Sequence, residues 1–294
     1  MINLKITRQY NMAQFVTIWQ HIPEHIKPYI FKIGSFELRY YALMYIVAFT
    51  IVYLLSMYRI KNEDYNYSRE AIENYFTWAI IGLMAGARFG YVLFYDFSYF
   101  ISRPWEIILP FSFTGGIHFT GLSGMSYHGG LIGVIAATYI FCRKYNFEFW
   151  RFTDFLVPSI PLGYTFGRIG NFINGELYGR ATSIPWGMYF PLDYTNQLRH
   201  PSQLYEAFFE GLFLFLVLWA MRKRQFFNGF YLAVYIMGYG TVRFFIEYIR
   251  EPDPHLGIYL NSVTMGQMLC LGMILGGAGL FHYRKKAHSS IIKQ

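Results

Sequence analysis

Charge is what this 294-residue chain has least of: Asp, Glu, Lys and Arg make up only 14% of it, against about a quarter of an ordinary soluble domain. Set beside a hydrophobic content of 54%, that scarcity argues against the one or two soluble domains that length alone would suggest. Cysteine is nearly absent too. Cys142 and Cys270 lie in or beside apolar runs and far apart. They give no disulfide framework and no thiolate metal spacing, and read as two small buried hydrophobes. Residues 1–40 hold no apolar stretch followed by a small-residue cleavage site. The first spanning helix is therefore expected to serve as its own insertion signal. No internal repeat, low-complexity segment or separate soluble domain is visible. The missing repeat removes support for the inverted-repeat architecture of many transporters.

What is present is apolar run after apolar run. Seven segments stand out, near 41–58, 74–95, 128–142, 153–170, 204–221, 229–249 and 264–282, several of them near the roughly 20 residues that cross a bilayer. The expected fold is an all-α polytopic membrane protein of seven transmembrane helices, a single integral membrane domain over 1–294. The net charge of +8 would suggest nucleic acid in a soluble protein. Here its distribution decides, because the basic residues cluster at the ends of apolar runs. Arg59, Lys61 and Arg69 follow the first segment, Arg143, Lys144 and Arg151 the third, Arg222, Lys223 and Arg224 the fifth, and Arg284, Lys285 and Lys286 the seventh. The intervening links are poorer in Lys and Arg and richer in Gly, Pro and Asn. By the positive-inside rule the N-terminus lies outside and the C-terminus in the cytoplasm. Residues 1–40 then form an outer arm, and the long links 96–127 and 171–203 form a small polar head region outside. The fourth segment carries Pro158, Pro161, Gly163 and Gly167, and a broken helix at membrane depth is tolerated where it lines a cavity.

Three polar stretches need an explanation. "GRIGNFINGELYGR", residues 167–180, places Arg168, Asn171, Asn174 and Glu176 at the outer end of that broken segment. An arginine near the bilayer centre costs at least about 2.5–3.5 kcal/mol and usually faces a cavity or a partner. Snorkelling with a local Arg–Glu pair would explain one arginine, but not two asparagines and a glutamate beside it. "YGTVRFFIEYIREPD", residues 239–253, sets Arg243 and Glu247 four apart on one helix face, where they can pair. Two guanidiniums from two spans suit a phosphate, through forked charge-assisted hydrogen bonds. "SYHGGLIG", residues 126–133, opens the third span with His128 and two glycines. A lone histidine there is more often a cap or an interfacial residue, but paired glycines admit close approach and an imidazole is a plausible base near neutral pH. Tyr41 is a lesser candidate, as aromatic-belt placement explains it equally well. "RHPSQLYE", residues 199–206, is another. Arg88 sits on a small-residue packing face with Gly86, Ala87 and Gly90, and Asp96 or Glu176 could pair with it. Asp154 reads as a helix cap. The residues alone thus point to an electropositive cavity near the outer leaflet that takes an anionic lipid headgroup.

These stretches closely resemble the signatures of the bacterial prolipoprotein diacylglyceryl transferases. "GRIGNFINGELYGR" is joined by "YYALMY" at 40–45, "GMSYHGGLIG" at 124–133, "HPSQLYE" at 200–206 and "RFFIEYIREPD" at 243–253, in that family's order and spacing. The resemblance implies transfer of the diacylglyceryl group of phosphatidylglycerol to the lipobox cysteine thiol of a prolipoprotein signal peptide, giving a thioether and glycerol-1-phosphate. It implies His128, Arg168, Arg243, Glu176 and Tyr41 as catalytic residues. Arg168, Asn171, Arg243, Glu247 and Gly179 would bind the lipid. On this reading His128 raises the thiolate fraction of a thiol of pKa about 8.5, while the arginines offset charge on the leaving phosphate. The chemistry calls for no metal and no organic cofactor, and the expected setting is a monomer in the bacterial cytoplasmic (inner) membrane. Two departures stand: the family's usual Trp-Tyr-Gly is Tyr40-Tyr41-Ala42 here, and Met12 is an alternative start. A transporter or flippase for anionic lipids would use the same arginines. It would also need polar residues continuing to the cytoplasmic side, and the cluster is one-sided. A scaffold that merely binds the lipid would not need His128.

Overall fold

The computed structural model describes residues 14–33, 36–109, 111–112, 118–119, 124–251, 258–259 and 263–292. The chain is mostly helical, and each of the seven apolar segments is helical along most of its length. The helices used below are α1 (Tyr40–Asn62), α2 (Arg69–Phe94), α3 (Tyr127–Lys144), α4 (Phe149–Leu156), α5 (Ile160–Asn174), α6 (Ser202–Met221), α7 (Phe230–Ile246) and α8 (Met265–Ile292). Among the described residues α1, α2, α6 and α8 are long and apolar enough to cross a membrane, and α7 is a shorter apolar helix. Their outward faces suit lipid, with Ile46, Ile81, Leu216 and Leu275 all more than half exposed. In water such apolar surface would mark an aggregation liability.

Two compact units divide the chain, one of residues 1–56 and 153–294 and the other of residues 57–152. The second unit is built on α2 and α3. Gly82, Gly86 and Gly90 on α2 meet Gly129, Gly133 and Ala137 on α3, so closely that a Cβ on Gly86 would stand 2.6 Å from the Gly133 Cα and one on Gly90 2.7 Å from the Gly129 Cα. Small residues four apart let two backbones touch, which is how helices associate where lipid removes the hydrophobic drive. The glycines that follow His128 therefore serve helix packing. An aromatic cluster of Tyr67, Tyr75, Phe141, Phe147 and Phe152 closes the other end of the pair. Ser126 caps α3 by accepting from Gly129 N at 3.3 Å. The guanidinium of Arg88 donates to the backbone carbonyls of Glu106, Ile107 and Gly124 and so pins the loop that follows α2.

In the first unit, the prolines break the fourth segment as expected. α4 gives way to a 3-10 turn at Val157–Ser159, and α5 restarts with Pro161 in its first turn. Proline lacks the amide that an unbroken helix needs there and fits the start of a new one. Asp154 is a cap, though for a different helix: its carboxylate accepts from Gly229 N at 2.7 Å, Phe230 N at 3.1 Å and Leu232 N at 3.1 Å, the first turn of α7. Beside it Val157, Leu218, Phe227, Phe230 and Tyr231 form one apolar core. At the other end of α5 a second core gathers Phe172, Met188 and Phe190, with Trp19, Ile22 and Leu204 packed on it. The N-terminal arm adds a hairpin, β1 (Tyr29–Ile33) antiparallel to β2 (Phe36–Arg39), immediately before α1.

Candidate active site

The first unit concentrates charge in its interior. Along α5, Tyr164, Arg168 and Asn171 are spaced four and three apart, so their side chains share one face. Glu206 and Glu210 stand on a facing stretch of α6, and Arg243 is in the last turn of α7 with Glu247 just beyond it. Glu206 is the hub. Its two carboxylate oxygens lie 2.8 Å from Arg168 Nε, 2.8 Å from Arg243 Nη1 and 3.4 Å from Arg250 Nη1. Both Glu206 and Glu210 are wholly buried, while the Arg168 and Arg243 side chains keep 15% and 14% of their surface. Guanidiniums that are nearly buried yet still reachable suit an anion that enters the site.

Glu206–Phe213 is a π-helical stretch of α6, and such stretches are often found at functional sites. Its cause is local. Gly211 lies hard against Thr165 of α5. The Thr165 hydroxyl donates at 3.2 Å to the Ala207 carbonyl, an acceptor that an unbroken α-helical ladder would keep for itself. A side chain on Gly211 would drive the two helices apart.

A second layer fixes the arginines. Arg168 donates to the Tyr164 hydroxyl at 2.7 Å and to Asn171 Oδ1 at 3.2 Å, and the Tyr164 hydroxyl donates to Glu210. Asn171 passes the contact on, its Nδ2 donating to Glu176 Oε1 at 2.8 Å. Gln203 holds the Glu176 backbone carbonyl at 2.6 Å. Glu247 stands 3.3 Å from Arg243 Nη2 and accepts the Thr264 hydroxyl at 3.2 Å. Thr264 and Gln267 bond each other's backbone amides as a capping box that starts α8. Among the described residues Arg168 Nη2 and Arg243 Nε make no hydrogen bond. A forked anion therefore has donors left to take.

Arg168, Asn171, Glu176, Arg243 and Glu247 thus fall into one connected network. Glu176 touches Asn171, so it reaches Arg168 at second hand. Tyr41 packs on the same helix: a Cβ at Gly170 would be 3.1 Å from its ring, and its hydroxyl bonds that of Tyr45 at 2.9 Å. Gly179 belongs to the loop after α5, where its amide donates to the His200 carbonyl at 2.8 Å. A Cβ there would run into the Ile249 carbonyl and His200, so what this glycine admits is backbone. That loop is held by Arg199, whose guanidinium reaches Asp193 at 2.7 Å. Burial raises the Asp193 pKa, but hydrogen bonds from Arg199, Thr195 and two backbone amides outweigh it and hold the carboxyl below the usual range. His128 belongs to the other unit, exposed in the first turn of α3 with its ring edge-on to Tyr127.

Sequence reasoning missed Tyr164 and Glu210, and took in Glu206 and Arg250 only as members of the stretches at 199–206 and 239–253, with no role of their own. The signal was there in "YEAFFEGLF", two acidic residues four apart in an apolar run. An ionisable residue at membrane depth is a site candidate by default, because it is too costly to leave unpartnered.

Fold and site together define a class: a helical membrane protein that buries a guanidinium–carboxylate network among its apolar helices. Sequence comparison narrows it. Residues 28–283 match the family described as prolipoprotein diacylglyceryl transferase, and the chain belongs to that family. It is 50% identical to the phosphatidylglycerol–prolipoprotein diacylglyceryl transferase of Chlorobaculum tepidum, over 94% of this chain and 96% of that protein. The proteins of the same name from Campylobacter hominis and Wolinella succinogenes are 42% and 41% identical, over 89% and 91% of this chain and 92% and 97% of theirs.

Proposed function

We propose that this protein transfers the diacylglyceryl group of phosphatidylglycerol to the lipobox cysteine thiol of a prolipoprotein. The observation that carries the reading is the arginine pair, Arg168 and Arg243, clasped by Glu206 inside a member of this family. The sulfur attacks the glycerol carbon that bears the phosphate, a C–S bond forms, and the C–O bond breaks. The electron pair leaves with the phosphate oxygen of glycerol-1-phosphate, and the thiol proton goes to a base. Arg168 and Arg243 hold the phosphate and offset the charge that grows on it, with donors fixed in advance and little solvent to reorganise. Asn171, Glu247 and Glu176 keep the guanidiniums in place, Tyr41 and Gly179 shape the surroundings of the lipid, and His128 is the proposed base. Seven spans with the N-terminus outside put the site toward the outer leaflet of the bacterial inner membrane, and the working unit is a monomer.

The test is direct. Purified protein in detergent is mixed with phosphatidylglycerol and a lipobox peptide, and diacylglyceryl peptide and glycerol-1-phosphate are measured. Absence of both products from the intact protein overturns the reading. Arg168→Ala and Arg243→Ala are each expected to lower turnover by about 100-fold or more, the scale of losing a charge-stabilising donor. His128→Gln is expected to slow transfer most where the thiol is most protonated. Unchanged turnover at pH 6 would remove histidine from the base role.

A further inference from the structure

Glu210 lies outside the motifs that carry the family resemblance, yet its side chain is wholly buried. We propose that Glu210 is a positioning residue that balances the charge of the arginine pair, keeping its grip on phosphate weak enough for the product to leave. This rests on the reading that Arg168 and Arg243 hold the phosphate.

The geometry separates Glu210 from Glu206. Glu206 Oε1 accepts a hydrogen bond from Arg243 at 2.8 Å and one from Arg250 at 3.4 Å. Glu210 reaches Arg243 and, through Tyr164, Arg168, without clasping either. Its Oε1 stands 3.6 Å from Arg243 Nη1 and accepts no hydrogen bond among the described residues. Its other oxygen takes the Tyr164 hydroxyl, which in turn accepts from Arg168 Nε at 2.7 Å. The phenol thus ties the carboxylate to the second arginine and fixes where it points. Glu210 acts on Arg243 through charge and leaves that guanidinium's donors for another acceptor.

Counting charges shows what it does. Arg168, Arg243 and Arg250 face Glu206, Glu210 and Glu247 in one network of contacts. These three guanidiniums meet these three carboxylates directly, so the charges in contact balance, while Glu176 reaches Arg168 only through Asn171. A second buried carboxylate four residues from the first is costly unless something requires it. The substrate phosphodiester carries one negative charge. The released phosphomonoester carries about 1.5 to 2 near neutral pH, as any such phosphate does. Every surplus positive charge in the site therefore favours the product over the substrate. A charge-balanced network with fixed donors still meets charge as it develops, but does not trap the dianion afterwards.

The test compares the wild type, Glu210→Gln and Glu210→Asp in detergent. Inhibition by glycerol-1-phosphate is measured together with KM and kcat for phosphatidylglycerol. Glutamine keeps the shape and removes the charge; aspartate keeps the charge and withdraws it from Arg243. The expected order of product affinity is Gln, then Asp, then wild type. The glutamine variant should bind glycerol-1-phosphate on the order of tenfold more tightly, with a lower KM and a lower kcat. A residue with a merely structural role would raise KM or leave it alone while kcat falls, and product inhibition no tighter than wild type in the glutamine variant overturns the proposal. If that variant does not fold, the aspartate variant decides, and inhibition no tighter than wild type is again the overturning result. Wild-type protein that forms no diacylglyceryl peptide defeats the transferase reading instead, a distinct outcome.

Discussion

One carboxylate, that of Glu206, stands within 3.4 Å of three guanidiniums from two segments of the chain. At that burial its loss would strand Arg168, Arg243 and Arg250 against one another. Breaking a buried ion pair by deleting one partner costs about 3–5 kcal/mol, because the charge left behind has no water to turn to. Glu206→Ala is expected to lose stability on that scale and to lose activity with it, read as thermal unfolding in detergent. Glu206→Gln keeps one acceptor oxygen and should lose less. Equal stability of the alanine variant and the wild type would mean that the arginines are held elsewhere. The same residue shows where sequence reading stops. Arg168, Asn171 and Glu176 stand out because they crowd one short stretch of an oily chain. Glu206 is hidden at the edge of a motif and Glu210 beyond it, and their partners come from other helices. Glu247 was legible as Arg243's neighbour because four residues on a helix make a contact by themselves.

At the scale of elements, local chemistry foretold most of what formed. Pro158 and Pro161 break the fourth segment, and Asp154 is a cap. That it caps α7 rather than its own helix is a tertiary fact that no local pattern encodes. The π stretch of α6 is equally unmarked, since it arises from the contact of Gly211 with Thr165. Gly129 and Gly130 show the opposite problem, a visible signal with two meanings: beside a histidine they suggest room for a ligand, and the room is taken by α2. This meaning is testable. A Cβ at Gly133 would fall 2.8 Å from the Gly86 Cα, whereas one at Gly272 meets nothing within 4 Å. Gly133→Leu should therefore pry α2 from α3 and lower stability by about 1–3 kcal/mol, as overpacking generally does. Gly272→Leu is the control and should change little. Similar unfolding temperatures for the two variants would show that the glycine contact contributes nothing.

For the whole molecule, helix length sets how often the chain can cross the bilayer. α1, α2, α6 and α8 are long and apolar enough on their own. α3 has 18 residues and α7 has 17, so each measures about 27 Å or slightly less at 1.5 Å per residue. That is just short of a hydrocarbon core of about 30 Å, a mismatch a bilayer absorbs by thinning or by snorkelling of flanking side chains. α3 ends in Arg143 and Lys144, both exposed and suited to snorkelling. Its glycine seam against α2, which is long enough to span, gives it a partner along its length. We therefore propose that α3 crosses, and the basic clusters set the direction. In a variant with Cys142 and Cys270 replaced by alanine, single cysteines are placed at Lys144, at Tyr194 in the loop after α5, and at Lys223. All three positions are exposed. A membrane-impermeant maleimide applied to cells with a permeable outer envelope should label Tyr194→Cys at once, and Lys144→Cys and Lys223→Cys only after the inner membrane is opened. The Lys144 site is the discriminating one. If α3 and the broken fourth segment both lay outside the bilayer, that cysteine would label together with Tyr194→Cys, since two skipped crossings leave the positions of Tyr194 and Lys223 unchanged. Labelling of Lys223→Cys in sealed cells would instead reverse the orientation and turn the arginine site toward the cytoplasm.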